Sequence, residues 1–280
     1  MKNYNFAIFI FCWGRPQFDN TIRSLRRCGY TGRIICLLDD LDETRDKYIE
    51  KYGEENCWVF DKKEIAKKVD TMDNFGKLAS TVYVENAMWD AAKFFGLEYF
   101  AAMCDDYESF SYKREKERVC KDLDNVFDAF VDFLKETKRV DMVCMGQGGD
   151  YIDPTKPNYK RKAMNCFVCC TERRSEFYGT MNDDCNMYLR NGAKGKIYLT
   201  YNRFILHQPP TQQIKGGLSE AYKENGTYTK SMYSVMAFPV CRESSSDGDE
   251  IFAIASRNRA KFCLPLYNSG AMEEKITLTN

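Results

Sequence analysis

Histidine is almost missing from this sequence: His207 is the single one in 280 residues. A Ser-His-Asp or Cys-His mechanism would rest on that one ring, and an internally hydrogen-bonded or solvated histidine is the commoner outcome, with a metal-ligand role left open. No run of roughly eighteen apolar residues occurs, which excludes a membrane-spanning helix. The stretch Phe6 to Phe11 is shorter and lacks a small-residue cleavage site, so it reads as a buried strand rather than a signal peptide. No Gly-x-Gly-x-x-Gly follows it and no Gly-x-x-x-x-Gly-Lys-Ser/Thr occurs anywhere, so the dinucleotide and P-loop readings lose their support. An excess of one charge is missing too: 41 Lys and Arg balance 41 Asp and Glu, which argues against binding by bulk electrostatics. No internal repeat or long low-complexity tract is present.

What the chain does have is ordinary for a globular protein, with 44% hydrophobic and 29% charged residues and enough length for a full core. Its 13 cysteines are odd in number and scattered, a usage that fits a reducing cytosol better than a disulfide framework. A cytoplasmic location is therefore expected. Cys166 and Cys169 have Cys-x-x-Cys spacing, but no second pair completes a zinc site and their apolar neighbours read as a core strand. Charge is uneven locally. Between Lys156 and Lys196 nine bases face four acids. Lys160, Arg161, Lys162, Arg173 and Arg174 could there hold a phosphate backbone or an anionic sugar donor, or simply form a solvated face.

From Tyr4 to about Met145 strands and helices alternate. Strands are expected at Asn5 to Phe11, Arg33 to Leu38, Cys57 to Phe60, Tyr99 to Met103 and Val140 to Met145. Helical spacing carries Phe18, Ile22 and Leu25, then Val84, Ala87, Met88, Ala91 and Phe95 before the stop at Gly96, then Leu123 to Leu134. This rhythm implies an α/β fold, a mostly parallel sheet covered by helices. Further strands are expected near Asn165 to Cys170 and Lys196 to Leu206.

Strand ends in such a sheet are where ligands bind. Arg15 follows the first strand, Asp39 and Asp40 the second, and Asp105 and Asp106 the strand from Tyr99. Two acids there suit Mg²⁺ or Mn²⁺ carrying a diphosphate, because these cations share oxygen ligands with phosphates. Asp39 and Asp40 could accept hydrogen bonds from a base or ribose, and Arg15 could meet phosphate. Each acid pair taken singly is also common turn material. Asp183 and Asp184 form a second pair, able to act as a general base or, with Asn182, to cap a helix containing Met187 to Leu189.

These residues resemble the family-2-type GT-A glycosyltransferases, in which a short Ala-Arg-Asn helix precedes an Asp-x-Asp motif, here Glu85-Asn86-Ala87 before Asp105-Asp106. The second half is similar to the TET-associated glycosyltransferases of phages, through Gln147 to Asp150, Arg161 to Asn165, Asn182 to Asp184, Thr211-Gln212, Gly216-Gly217 and Gly226 to Met236. The resemblance implies a GT-A, Rossmann-like domain over residues 1–206 and a C-terminal acceptor-side extension or lid over 207–280. It implies transfer of a sugar from a nucleotide-diphosphate sugar, taken as UDP-linked, to a hydroxymethylated pyrimidine in DNA, with 5-hydroxymethylcytosine as the expected base. Arg15, Asp39, Asp40, Asn86 and Asp105 would hold the donor and Asp106 a divalent cation. Asp184, supported by Asp183, would be the base of an inverting displacement, and the five basic residues named above would contact DNA. Three departures from the family pattern stand out: Cys104 replaces the first acid of its triplet, Asp183 stands where it has glutamate, and Ile254 to Ser256 lacks its paired histidine. Two other readings stay open, a glycan or protein acceptor, and a binding protein without turnover.

Overall fold

The computed structural model describes residues 5–113, 116–147, 163–209, 233–236, 238, 242–247 and 250–255. Chain order begins β1 (Phe6–Cys12), α1 (Asn20–Arg27), β2 (Arg33–Asp39), α2 (Arg45–Tyr52), β3 (Cys57–Phe60), α3 (Lys62–Ala66), α4 (Val82–Phe94) and β4 (Tyr99–Cys104). It continues β5 (Ser109–Lys113), β6 (Glu117–Val119), α5 (Leu123–Glu136), β7 (Met142–Gln147), β8 (Phe167–Cys170), α6 (Asp183–Ala193) and β9 (Tyr198–His207). A separate hairpin, β10 (Arg242–Asp247) with β11 (Glu250–Ala255), lies outside the main sheet.

Strands β1 to β9 form one sheet in the order β3-β2-β1-β4-β8-β7-β9-β5-β6. The half containing β3, β2, β1 and β4 is wholly parallel. The other half is mixed: β7 and β9 pair in parallel, whereas β8 and β5 run antiparallel to their neighbours. The expectation of a mostly parallel sheet thus describes the first half closely. Strands β5 and β6, which the sequence did not disclose, sit in a window crowded with charge from Lys113 to Arg118 that hides their alternation.

Strand β1 is buried along its whole length because helices cover both faces of the sheet, the arrangement that turns a parallel strand into a continuous apolar run. Its alternate residues divide between two cores. Ile8 and Ile10 pack with Leu25 of α1 and with Phe127, Phe130 and Val131 of α5. Ala7, Phe9 and Phe11 pack with Val82, Met88 and Trp89 of α4. Helix α4 stops where Gly96 takes a positive φ of 63°. Leu97 N–H then reaches the Ala92 carbonyl at 2.8 Å and Gly96 N–H the Lys93 carbonyl at 3.0 Å, so two orphan carbonyls are satisfied and the chain turns into β4. Cys166 and Cys169 are buried free thiols, as their apolar surroundings suggested. His207 is internally bonded, its Nε2 lying 3.1 Å from Ser111 Oγ and 2.7 Å from Glu117 Oε1.

Candidate active site

The C-terminal ends of β1, β2 and β4 open onto one edge, and short-range hydrogen bonds fix the loops that leave them. After β1, Gly14 adopts a φ of 67° and donates its N–H to Asp42 Oδ2 at 2.9 Å, while Arg15 N–H donates to the Tyr48 hydroxyl at 3.0 Å. The Arg15 guanidinium is thereby aimed across the edge at Asp105, with Nη2 2.5 Å from Oδ1. After β4 the turn is stapled to α1 by Thr21. Its hydroxyl donates to the Cys104 carbonyl at 2.7 Å and accepts from Tyr107 N–H at 2.8 Å, and its own N–H reaches the Asp105 carbonyl at 3.2 Å.

Burial pushes the Asp105 carboxyl up to about 7 against the pull of Arg15, and raises Asp106 from the usual carboxylate range in the same way. One oxygen of each, Oδ2 of Asp105 and Oδ1 of Asp106, is buried with no hydrogen-bond partner. Desolvated acceptors without a donor are costly unless something else satisfies them.

Beneath the end of β2, Asp39 is buried in an ion pair with Lys62, the first residue of α3, and accepts Leu41 N–H at 2.9 Å. Burial raises its pKa and Lys62 opposes the rise. Asp40 Oδ1 accepts the Lys62 N–H at 2.8 Å. The Lys62 ammonium lies 4.3 Å from the centre of the Trp13 ring and 5.7 Å from that of Tyr83, two cation-π contacts in one place. Trp13 stays 42% exposed above this buried pair. The sequence reading assigned Asp39 and Asp40 directly to a nucleoside. In the structure both acids also engage Lys62, and Trp13 is an accessible aromatic surface beside them. Lys62 is hard to read from sequence because its partner lies 23 positions earlier, at the end of β2; its one local signal is a lysine just after the Asp61 cap that starts α3.

On the far side of the same edge, α4 and α6 meet. Thr81 donates its hydroxyl to Asp183 Oδ2, and Asp183 Oδ1 accepts Asp184 N–H at 3.0 Å. Asn182 takes a left-handed φ of 54° to start α6, and its amide donates to Ser234 Oγ at 3.2 Å. Burial and the neighbouring Asp184 charge push Asp183 up to about 6. Glu85 of α4 packs against this pair and is driven well above its ordinary value by burial, then by Asp183 and Asp184. Cys104 feels Asp106, Asp105, Glu85 and Asp183 together, which places the β4 acids and the start of α6 around one thiol. Asp184 itself is partly exposed.

Three other expected site residues have different surroundings. Asn86 gives its amide protons to the carbonyls of Val82 at 2.8 Å and Phe177 at 3.0 Å, and its oxygen accepts Phe177 N–H at 3.2 Å. These bonds clamp α4 to the segment before α6. Arg173 donates to the carbonyls of Leu134 at 2.7 Å and Thr137 at 3.1 Å, satisfying the orphan acceptors at the end of α5. Arg174 pairs with Asp90 at 3.1 Å and also reaches the Asn86 carbonyl. Strand register explains this: β8 runs antiparallel to β4 and brings Cys170 beside Tyr99, so the chain leaves β8 at the sheet edge opposite Asp105. Lys160, Arg161 and Lys162 lie outside the described residues.

The model of the family "TET-Associated Glycosyltransferase" matches residues 6–217. The chain belongs to this family. It is a glycosyltransferase, built on a helix-covered, half-parallel α/β sheet. No curated protein sequence matches the glycosyltransferase. Among solved structures it is similar to glucosyl-3-phosphoglycerate synthase from Mycobacterium tuberculosis in complex with Mn²⁺, uridine diphosphate and phosphoglyceric acid. The identity is 10%, the TM-score 0.48, and the match covers 91% of this chain and 87% of that one. It is also similar to residues 1–349 of TarS from S. aureus in complex with UDP, at 9% identity and a TM-score of 0.43, covering 71% of this chain and 59% of that one.

The donor set can be tested against a divalent cation. Among the described residues no three His, Cys, Asp or Glu side chains are grouped to hold a metal ion alone. Mg²⁺ and Mn²⁺ in nucleotide sites, however, are often bound by one or two carboxylates and completed by phosphate oxygens. The unpartnered oxygens of Asp105 and Asp106 fit that requirement.

Proposed function

We propose that this glycosyltransferase transfers a sugar from a UDP-linked donor to the hydroxymethyl group of 5-hydroxymethylcytosine in DNA, by a single inverting displacement. The observation that carries the reading is the shared edge: unpartnered carboxylate oxygens of Asp105 and Asp106 on one side and Asp184, at the start of α6, on the other. The donor diphosphate would lie against Asp106, Asp105 and Arg15, with the nucleoside over Trp13. A divalent cation held by Asp106 and Asp105 would supply neutralisation of the departing diphosphate charge. Asp184 accepts the proton of the acceptor hydroxyl. That oxygen forms its bond to the anomeric carbon as the bond to the diphosphate breaks, and the nucleoside diphosphate leaves with the electron pair.

Support for the acceptor comes from family membership and from the exposed surface of the 70–80 loop and the 233–236 turn, joined to the start of α6 through Asn182 and Ser234. Phe75 and Met236 are each 76% exposed. Their segments are pinned together by Asp73, which accepts from the hydroxyls of Tyr233 at 2.8 Å and Thr180 at 2.6 Å. An exposed aromatic and a thioether on segments held together in this way suit stacking on an unpaired base. The segment from 207 onward, treated as the acceptor-side extension, would supply Met236.

Incubating the enzyme with hydroxymethylated DNA and a panel of nucleotide sugars, read by nucleoside mass spectrometry, tests the proposal. A mass gain on hydroxymethylcytosine is expected. Donor hydrolysis without any DNA product would shift the assignment to a glycan or protein acceptor.

A further inference from the structure

Glu85 has no role in the chemistry described so far, yet it is the carboxyl most deeply placed against the candidate base. It is 5% exposed, and its neighbour Asp183 is 7% exposed. Asp183 already accepts the Thr81 hydroxyl and the Asp184 N–H. Glu85 stands one helical turn after Thr81, its N–H bonded to the Thr81 carbonyl at 3.0 Å, so it shares the α4 face that binds Asp183, and its buried Oε2 meets no donor. Among the described residues the other titratable groups acting on it are Asp184 from α6 and Cys104 from β4, and neither is a cation.

Two carboxyl groups buried against each other, with no positive partner among the described residues, resist ionising together, so one proton is held between them. The protonated member becomes a hydrogen-bond donor, the only chemical form in which the pair attracts rather than repels. We propose that Glu85 is a positioning residue for the transfer reaction: its carboxylic acid donates to Asp183 and so holds the first turn of α6, and Asp184 with it, against α4. This deepens the functional reading above and rests on Asp184 being the base. Burial keeps Glu85 protonated well above its ordinary range. Because that folded-state value is raised, the stabilisation is complete at acid pH and is lost as the pH climbs through the pair's upper titration.

Two measurements on the full chain test it. Thermal unfolding from pH 6 to pH 9 needs no substrate. Glu85→Gln keeps a permanent donor, so its melting temperature should be flat over the range in which the wild type declines. Transfer kinetics with the donor and DNA identified by the product assay give the second readout. Glu85→Gln should keep kcat within about threefold and lose the wild-type fall at alkaline pH, whereas Glu85→Ala should lower kcat at least about tenfold with donor KM unchanged, the cost of a slightly misplaced base. Should Glu85→Ala fail to fold, the Glu85→Gln pH profiles alone decide. Parallel pH dependence in wild type and Glu85→Gln, or wild-type kcat in Glu85→Ala, would overturn the proposal. Absence of transfer to any acceptor would instead remove the functional reading, and with it the kinetic role of Glu85, while the melting profiles would still report the shared proton.

Discussion

Arg15 Nη2 and Asp105 Oδ1, 90 residues apart in sequence, meet at 2.5 Å and tie the end of β1 to the end of β4. Neither partner is fully satisfied. Arg15 Nε and Asp105 Oδ2 are buried without partners, which leaves a donor and an acceptor facing the edge where a diphosphate would lie. An ion pair with unused hydrogen-bonding capacity on both sides is suited to receiving a ligand that carries both cation and anion.

Replacing Lys62 by Met should leave the buried Asp39 carboxylate uncompensated and cost about 3–5 kcal/mol. Urea denaturation would measure it. The double variant with Asp39→Asn should recover most of the loss, since the penalty belongs to the unpaired charge.

Asp106→Asn should weaken cation-dependent UDP binding at least about tenfold while leaving the melting temperature near that of the wild type. Titration calorimetry with and without Mn²⁺ would show it. A chelator should reduce the wild type to the affinity of the variant.

For Asp184→Asn, transfer should slow by at least about a hundredfold with donor affinity nearly intact, because only proton acceptance is removed. Single-turnover kinetics distinguish this from a binding defect. A wild-type rate would end the assignment.

Arg173→Ala should destabilise the fold by about 1–2 kcal/mol through the carbonyls at the end of α5, and should leave the salt dependence of DNA binding unchanged. A shallower salt slope would instead return Arg173 to the phosphate-contacting residues.

Truncating Phe75 to Ala should raise the acceptor KM about tenfold, as loss of one base-stacking contact requires, with donor hydrolysis unaffected. Steady-state kinetics on modified oligonucleotides would test it.

Much of the fold was legible because its signals are local. The apolar run of β1, the helical spacing of α4 and α5 and the stop at Gly96 each follow from sterics and burial within a few residues. The acids after β2 and β4 were legible for the same reason, since a strand that ends in carboxylates marks itself. Helix α3 carries little signal because it spans only five residues, Lys62–Ala66, and α2 because Tyr48 is its one buried residue, too little for an apolar stripe.

Sequence by itself determined which residues are carboxylates at strand ends, that their strands lie in a helix-covered sheet, and the family. Tertiary structure alone decided the partners. It placed Lys62 under Trp13 and against Asp39, set Glu85 beside Asp183, and carried Arg173 and Arg174 to the opposite edge from Asp105. The physical reason is range. Propensity and periodicity act over one or two turns of chain, whereas ion pairing, desolvation and strand register depend on residues tens of positions away that only the folded sheet brings together.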